Sequence, residues 1–266
     1  MSHLMPSDEL VAVVAPIAVY WLAAGLYTVF GRRADKYRLH SREEEDRRNL
    51  VPKREVVWVV LLQHLQQAAV AFVVFKFKAK IGDPPAAAAA TSTMPAAVVV
   101  SGQLLLAMVT FDTWQYFWHR LMHSNSFLYR HVHSWHHRLL APYAFAAQYN
   151  HPVESFILDT AGGALALAAS GMSPRTSAWF FSFATLKAID DHSGLLLPWD
   201  PLHALFGNNT AYHDVHHQLR GNRCNYAQPF FVAWDRIMGT YVPYAIVRAP
   251  HVGLEAVPAA RKQRSA

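Results

Sequence analysis

The stretch HRLMHSNSFLYRHVHSWHH, residues 119–137, contains an HxxxH motif that is followed closely by an HxxHH motif. A second HxxHH motif, HDVHH, occupies residues 213–217. On an α-helix, residues i and i+4 lie one above the other, so His119 and His123 can share one metal ion. The HxxHH spacing adds i+3 to the same face, which predicts that each of these two boxes forms a converging trio.

These spacings define a set of candidate metal ligands that is too large for one four-coordinate ion. The set comprises His119, His123, His133, His136, His137, His213, His216 and His217. We therefore expect two metal ions, held close together. A lone histidine on an apolar face is usually a hydrogen-bonded core residue, but two HxxHH boxes and an HxxxH motif beside apolar spans are difficult to explain as packing.

The neighbouring residue types indicate which metal is bound. Neutral imidazole suits zinc, copper, iron and nickel. A zinc hydrolase with an HExxH motif would have glutamate after its first histidine, whereas this chain has Arg120. A soluble di-iron bundle would supply several glutamates and Glu-x-x-His motifs, and none accompanies these boxes. A nitrogen-rich site in apolar sequence instead favours membrane non-haem iron that activates O2.

The composition is that of an integral membrane domain with a polar cap. Of the 266 residues, 53% are hydrophobic, which is unusual for a soluble enzyme. The single cysteine, Cys224, excludes an intramolecular disulfide and a cysteine-based metal site. The net charge of +6 comes from Lys and Arg that flank apolar spans, a placement typical of membrane topology and anionic headgroups and not of nucleic-acid binding.

Apolar runs predict an all-α integral membrane protein with four to five apolar helices and a cytosolic histidine-rich di-iron cap. The predicted helices cover residues 10–30, 56–75, 96–118, 155–170 and 176–189, with a turn at 171–174 between the last two. The basic segment 32–54 follows the first span, and the positive-inside rule makes it cytoplasmic. We divide the chain into an N-terminal transmembrane region (1–95), a catalytic domain (96–245) and a basic C-terminal tail (246–266).

Two carboxylates are candidates for supporting the metal site. Asp112 falls on the same helical stripe as His119, where a carboxylate could fix the tautomer of a ligand histidine, and an ordinary buried hydrogen bond is the alternative. Asp191 precedes His192, which the last apolar hairpin returns to the side of the boxes. His151 is a candidate extra ligand or hydrogen-bond partner.

Several strings carry a resemblance to a known family. They are HRLMH, HVHSWHHRLLAPYAF, YNHPVESFILDT, GMSPRTS, DDHSG, AYHDVHHQL and NYAQPFFVAWDRIMGTY. They resemble the fatty acid hydroxylase superfamily and, within it, the plant sphinganine C-4 monooxygenases. The resemblance is dense over residues 119–241. The resemblance adds His192 to the expected ligands. Some relatives have a pair of histidines where this chain has only His192, so the number of ligands stays open, with His151 as the candidate substitute.

The resemblance implies a di-iron monooxygenase that inserts one oxygen atom from O2 at C-4 of sphinganine and produces phytosphingosine. It implies a multi-pass protein of the endoplasmic reticulum membrane whose active site faces the cytosol. The chain has no Gly-rich nucleotide-binding loop, so the electrons are expected to come from outside it. The resemblance implies that they come from NAD(P)H through cytochrome b5 and its reductase. Iron performs the chemistry in such an enzyme, while the protein orients the substrate and excludes water.

Two other classes of function stay open at this stage. A sterol C-4 methyl oxidase, a fatty acyl hydroxylase or a desaturase would keep the same histidine boxes, because the boxes do not encode which carbon is oxidised. A non-catalytic metal-binding membrane protein or a metal transporter is the second class. A transporter predicts ionisable residues along a path through the spans, whereas these histidines gather at one end.

Overall fold

The computed structural model describes residues 7–81, 95–218, 223–249 and 253–259, and most of them are helical. In chain order the α-helices are α1 (Asp8–Gly31), α2 (Arg42–Arg48), α3 (Lys53–Ile81), α4 (Ala96–Ser124), α5 (Ser126–His131), α6 (Pro152–Ser155), α7 (Gly162–Ser170), α8 (Pro174–His192), α9 (Pro201–Leu205), α10 (Thr210–His217) and α11 (Ala233–Ile237). Two 3-10 helices (His133–Arg138 and Ala144–Gln148) precede α6, and a π-helix (Phe156–Ala161) joins α6 to α7.

Four helical segments in the described ranges are long and apolar enough to cross a membrane. They are Asp8–Gly31, Lys53–Val74, Ala96–Ser124 and Pro152–Ser170, the last of which combines α6, the π-helix and α7. Large apolar side chains on their outer faces are exposed, including Leu26 (69%), Leu62 (62%) and Leu105 (57%). Side chains of this kind are stable in contact with lipid. The chain is therefore a multi-pass membrane protein, with the first three predicted spans in place.

The predicted helical hairpin at 155–189 is confirmed, with α8 as its second arm. Gly171 ends α7 in the left-handed region, at φ 62°, where glycine has no steric penalty. Helix α8 packs along α1. An ion pair between Arg175 and Asp8 marks one end of this contact, and a hydrogen bond from Tyr27 to Asp190 marks the other. The two helices therefore run parallel, and α8 ends at the histidine side of the protein.

A small antiparallel sheet corrects the all-α prediction. Strands β1 (Tyr244–Arg248) and β2 (Leu254–Pro258) pair near the C-terminus. Ala256 is buried, its carbonyl accepts a hydrogen bond from Gln218, and the Leu254 amide donates to the carbonyl of Arg38. The predicted boundary at residue 246 thus lies inside a strand. Part of the predicted basic tail packs on α10 and residues 223–242, which together are called the cap below. Arg261, Lys262 and Arg264 lie outside the described residues.

The basic segment 32–54 lies at the histidine end of the helices. The Leu50 amide donates to the carbonyl of Arg138, directly after the first HxxHH box. His40 lies 2.6 Å from the Asp214 carboxylate of α10, inside the second box. These contacts attach the segment that follows the first span to both histidine boxes.

Candidate metal centre

The structure brings all nine histidines of the expected ligand set together, in two adjacent groups. They come from α4, the 3-10 helix 133–138, α8 and α10. The first group is His119, His123, His133, His137 and His216, and the second group is His136, His192, His213 and His217. Within each group the candidate ligand atoms lie within 4.8 Å of one another.

The Nε2 atoms converge at distances that suit a shared cation. In the first group, Nε2 of His133 lies 2.8 Å from Nε2 of His123. In the second group, Nε2 of His213 lies 2.9 Å from the Nε2 atoms of both His192 and His217. Imidazole nitrogens bind a first-row metal at about 2.1 Å, and two such nitrogens at right angles around one ion are about 3.0 Å apart. The spacing therefore matches neighbouring ligands of one ion.

Backbone carbonyls set the tautomer of several of these imidazoles. Nδ1–H of His119 donates to the carbonyl of Tyr226 at 2.7 Å, and Nδ1–H of His216 donates to the carbonyl of Cys224 at 2.7 Å. Similar bonds join His136 to the Tyr149 carbonyl and His192 to the Ala188 carbonyl. Because a carbonyl oxygen can only accept, the proton is on Nδ1 and the Nε2 lone pair points into the group.

Lone pairs that face each other at these distances repel, and a cation between them would remove this repulsion. His119 Nε2 is buried and has no hydrogen-bond partner in the described part of the chain. Burial lowers the pKa of His136 to about 4 and that of His216 to about 3. Both imidazoles are therefore neutral near pH 7, as a metal ligand must be. The residues present fit a pair of nitrogen-ligated metal ions.

The predicted trios are wrong in one respect, because each HxxHH box divides between the two groups. His133 and His137 share the first group, while His136 joins the second group. In α10 the i and i+4 histidines, His213 and His217, share the second group, and the i+3 histidine joins the first group. Consecutive side chains leave a helical backbone about 100 to 120° apart. Two neighbouring histidines therefore point into different groups.

Glu154 supports His133, a contact that the sequence motifs do not predict. The Glu154 carboxylate accepts a hydrogen bond from Nδ1 of His133 at 2.6 Å, and both side chains are buried. The bond fixes the orientation of the His133 ring and makes its Nε2 a better donor to a metal. The string HPVE placed a carboxylate near the boxes, but only the fold shows that it faces His133.

We expect Glu154→Gln to weaken metal binding, because the amide keeps the shape of the side chain but loses its charge. Loss of such a supporting partner typically lowers metal affinity about 10- to 100-fold. Metal retained by the purified protein against increasing chelator measures the effect. Glu43→Gln on the exposed face of α2 is the control, and equal retention in the two variants would contradict the assigned role.

The two predicted carboxylates and His151 belong to neither histidine group. Asp112 accepts hydrogen bonds from the backbone amides of Phe230 and Phe231, so it ties α4 to the cap and does not touch a histidine. Asp191 forms an ion pair with Lys187 one turn earlier in α8. His151 caps α6, packs on Trp135 and is in neither histidine group. Asp112 and Asp191 thus have structural partners of their own.

A cavity of about 310 Å³ connects the histidines to the apolar interior of the helices. Its deep part is lined by α1, α3, α7 and α8, with Pro16, Val70 and Leu167 among the apolar side chains. Its other end is lined by His119 and His133 of the first group, with members of the second group beside them. A cavity that is apolar at one end and nitrogen-lined at the other suits a lipid chain whose reacting carbon meets the metal.

Comparisons with known proteins agree with this geometry. The family model for fatty acid hydroxylase matches residues 104–240. Sphinganine C4-monooxygenase 1 of Arabidopsis thaliana is 53% identical over 95% of both chains. Very-long-chain aldehyde decarbonylase GL1-9 of Oryza sativa subsp. japonica is 52% identical over 95% of this chain and 96% of its own. Sphingolipid C4-hydroxylase SUR2 of Saccharomyces cerevisiae is 40% identical over 88% of this chain and 72% of its own.

No solved structure matches the chain. The histidine boxes that define the candidate metal centre lie within the matched residues 104–240, and the relatives cover nearly the whole chain. The chain belongs to the fatty acid hydroxylase family.

Proposed function

We propose that this protein is a sphinganine C4-monooxygenase, an oxidoreductase that hydroxylates the C-4 methylene of a long-chain base. The observation that carries the proposal is the lipid-sized cavity that ends at the nine buried histidines. The Arabidopsis thaliana and Saccharomyces cerevisiae relatives, which are named for C4 hydroxylation of sphinganine or sphingolipid, support this substrate class.

The two histidine groups would hold one iron ion each. Imidazole is a suitable ligand for iron, and the absence of cysteine from both groups disfavours a thiolate-bound metal. Iron bound in this way would supply the activation of O2 that attack on an unactivated methylene requires. The electrons would come from NAD(P)H through cytochrome b5 and its reductase. Asp112 and Asp191 would stabilise the site from outside, through the backbone of the cap and through α8.

The protein's own contribution is to orient the chain and exclude water. Apolar side chains of α1, α3 and α7 enclose the alkyl tail, so that only a short stretch of the chain reaches the Nε2 atoms. The histidines are held by backbone carbonyls and by Glu154, so their positions do not depend on the bound lipid. An enzyme that oxidises one particular methylene must hold that carbon in a fixed position, and fixed ligands with an enclosed substrate meet this requirement.

We place the protein in the endoplasmic reticulum membrane, as the family resemblance implies, and the charge distribution supports an active site on the cytosolic side. Nine Lys and Arg residues lie in segment 32–54, which is attached to both histidine boxes. Basic residues that follow an apolar span favour the cytosolic side. An electron donor on that side would then reach the histidine end of the protein directly. Protease protection of tags placed in segment 32–54 and near Asp8 would test this orientation.

The proposed reaction is tested in membranes that lack sphinganine hydroxylase activity. The protein is expressed there and supplied with sphinganine, NADPH and isotopically heavy O2, and long-chain bases are analysed by mass spectrometry. We expect one heavy oxygen atom in phytosphingosine, and none with His136→Ala. An iron-loaded wild type with a working electron donor that forms no phytosphingosine would refute the assignment.

The Oryza sativa relative gives a specific reason to test a second reaction in the same membranes. That protein is named for decarbonylation of very-long-chain aldehydes, and its identity to this chain is close to that of the Arabidopsis thaliana relative. A long-chain aldehyde is therefore supplied in parallel and shortened hydrocarbons are sought. Hydrocarbon without phytosphingosine would favour the decarbonylase, whereas sterol or fatty acyl products would favour another lipid oxidase of this family.

A further inference from the structure

Three carboxylates line the cavity, and one of them has neither a lysine nor a histidine partner among the described residues. Glu154 accepts a hydrogen bond from His133, and Asp191 is paired with Lys187. Among the described residues, Asp159 has only neutral partners: Nε2 of Gln63 donates to it at 3.0 Å, and the side chains of Gln115 and Ser155 also hydrogen-bond to it. No Lys or Arg occurs among the described residues that line the cavity. A carboxylate in a low-dielectric site is costly without a positive partner, so Asp159 is built to receive one.

The backbone around Asp159 departs from a regular α-helix. Residues 156–161 form a π-helix between α6 and α7, within a segment apolar enough to span a membrane. Such wide turns are rare and frequently occur at functional sites. The turn begins two residues after Glu154, and Asp159 lies five residues after it. Both carboxylates line the same cavity, which places Asp159 about one helical turn from the residue that supports His133.

Two further polar groups beside Asp159 have no partner of their own. Thr160 Oγ1 and Gln63 Oε1 are buried and make no hydrogen bond within the described ranges. Thr160 also lines the cavity. A carboxylate, a hydroxyl and an amide oxygen together match a head that carries one ammonium group and neighbouring hydroxyl groups. Buried polar groups of this kind are normally satisfied, and a bound ligand is the remaining source of partners.

We propose that Asp159 binds the ammonium group of the long-chain base and thereby selects which carbon reaches the histidines. This inference rests on the proposed function and deepens it. Sphinganine carries its amine at C-2 and hydroxyls at C-1 and C-3, with three bonds between the nitrogen and C-4. Three bonds span about 3.8 Å when extended. Anchoring the nitrogen at Asp159 therefore keeps C-4 within about 4 Å of the bound nitrogen, in the same cavity that the histidines line.

A binding experiment isolates the charge interaction from catalysis. The full-length purified protein is placed in lipid nanodiscs, and binding of sphinganine is compared with that of octadecane-1,3-diol, which lacks only the amine. A hydrogen bond to a charged group is typically worth about tenfold or more in affinity. We expect Asp159→Asn to weaken sphinganine binding by about that factor and to change diol binding by less than about twofold. Asp159→Glu should restore part of the preference.

Asp200→Asn is the matched control, because it removes one negative charge outside the cavity. Asp200 caps α9, and asparagine caps a helix equally well. We expect this variant to bind both lipids as the wild type does. Equal weakening of both lipids by Asp159→Asn, or an unchanged preference for the amine, would overturn the proposed subsite.

Product analysis gives a second readout that a purely structural role would not change. In Asp159→Asn the residual oxidation of sphinganine should spread from C-4 to neighbouring carbons, because the nitrogen no longer fixes the register. Residual product confined to C-4 would count against the proposal. If the wild type binds the amine through Asp159 but oxidises no long-chain base, the subsite stands and the proposed reaction fails.

Discussion

Replacement of His213 by alanine is expected to abolish hydroxylation and to halve the iron content of the purified protein. Nε2 of His213 lies 2.9 Å from both His192 and His217, so it is the central nitrogen of the second group. Removing it leaves three histidines, and two of them, His192 and His217, lose their nearest neighbour. The first group contains no residue of this set and should keep its ion. The activity loss should exceed the roughly 100-fold that follows loss of a supporting partner.

Metal analysis and product formation measure the two effects on the same preparation. His131→Ala is the matched control, since this histidine lies between the boxes, contacts Phe127 and belongs to neither group. The control should retain wild-type iron and activity. Full iron content in His213→Ala would show that the second group does not hold a metal. Loss of all iron would instead show that the two ions bind only together.

Replacement of Asp235 by alanine is expected to unfold the cap. The buried carboxylate of Asp235 accepts hydrogen bonds from the backbone amides of Tyr226 and Ala227 and from the hydroxyls of Tyr212 and Thr240. An orphaned buried donor costs about 1 to 3 kcal/mol. With four donors orphaned, the expected loss in the free energy of unfolding reaches the roughly 4 to 5 kcal/mol that marks exceptional mutations. A loss of this size is comparable with the whole stability of many domains.

The apparent melting temperature and the rate of proteolysis in detergent report this change. Asp46→Ala, an exposed carboxylate paired with Lys53, is the control and should melt as the wild type does. The melting temperature of Asp235→Asn should lie between those of Asp235→Ala and Asp46→Ala, because the amide oxygen of asparagine still accepts hydrogen bonds. A wild-type melting curve for Asp235→Ala would show that these donors find other partners. The carbonyl of Tyr226 also holds His119, so metal loss should accompany unfolding.

Much of the fold could be predicted from the sequence because apolar length and helical spacing are local properties. Three long, mainly apolar runs and the turn at 171–174 predicted α1, α3, α4 and the last helical hairpin. The strands β1 and β2 were missed because each is short and its pairing depends on contacts with Arg38 and Gln218, far away in the sequence. Local pattern carries no information on such partners.

The family and the set of clustered histidines also followed from the sequence, but their division into groups did not. The family assignment is confirmed by the match to residues 104–240. The role of these histidines as ligands stays a prediction that metal analysis must test. Spacing within one box could not show that His136 turns toward His192 of α8 while His137 turns toward His216 of α10, since that choice depends on how distant helices pack.

The interleaving of the boxes has a consequence for how the protein is made. The first histidine group draws on residues 119 through 216, and the second group draws on residues 136 through 217. A nascent chain therefore has no complete histidine group until α10 has left the ribosome and packed against the earlier helices. A complete histidine group can therefore bind metal only after the chain up to α10 has folded at the bilayer. Nonsense mutations upstream of His216 should yield products devoid of either centre.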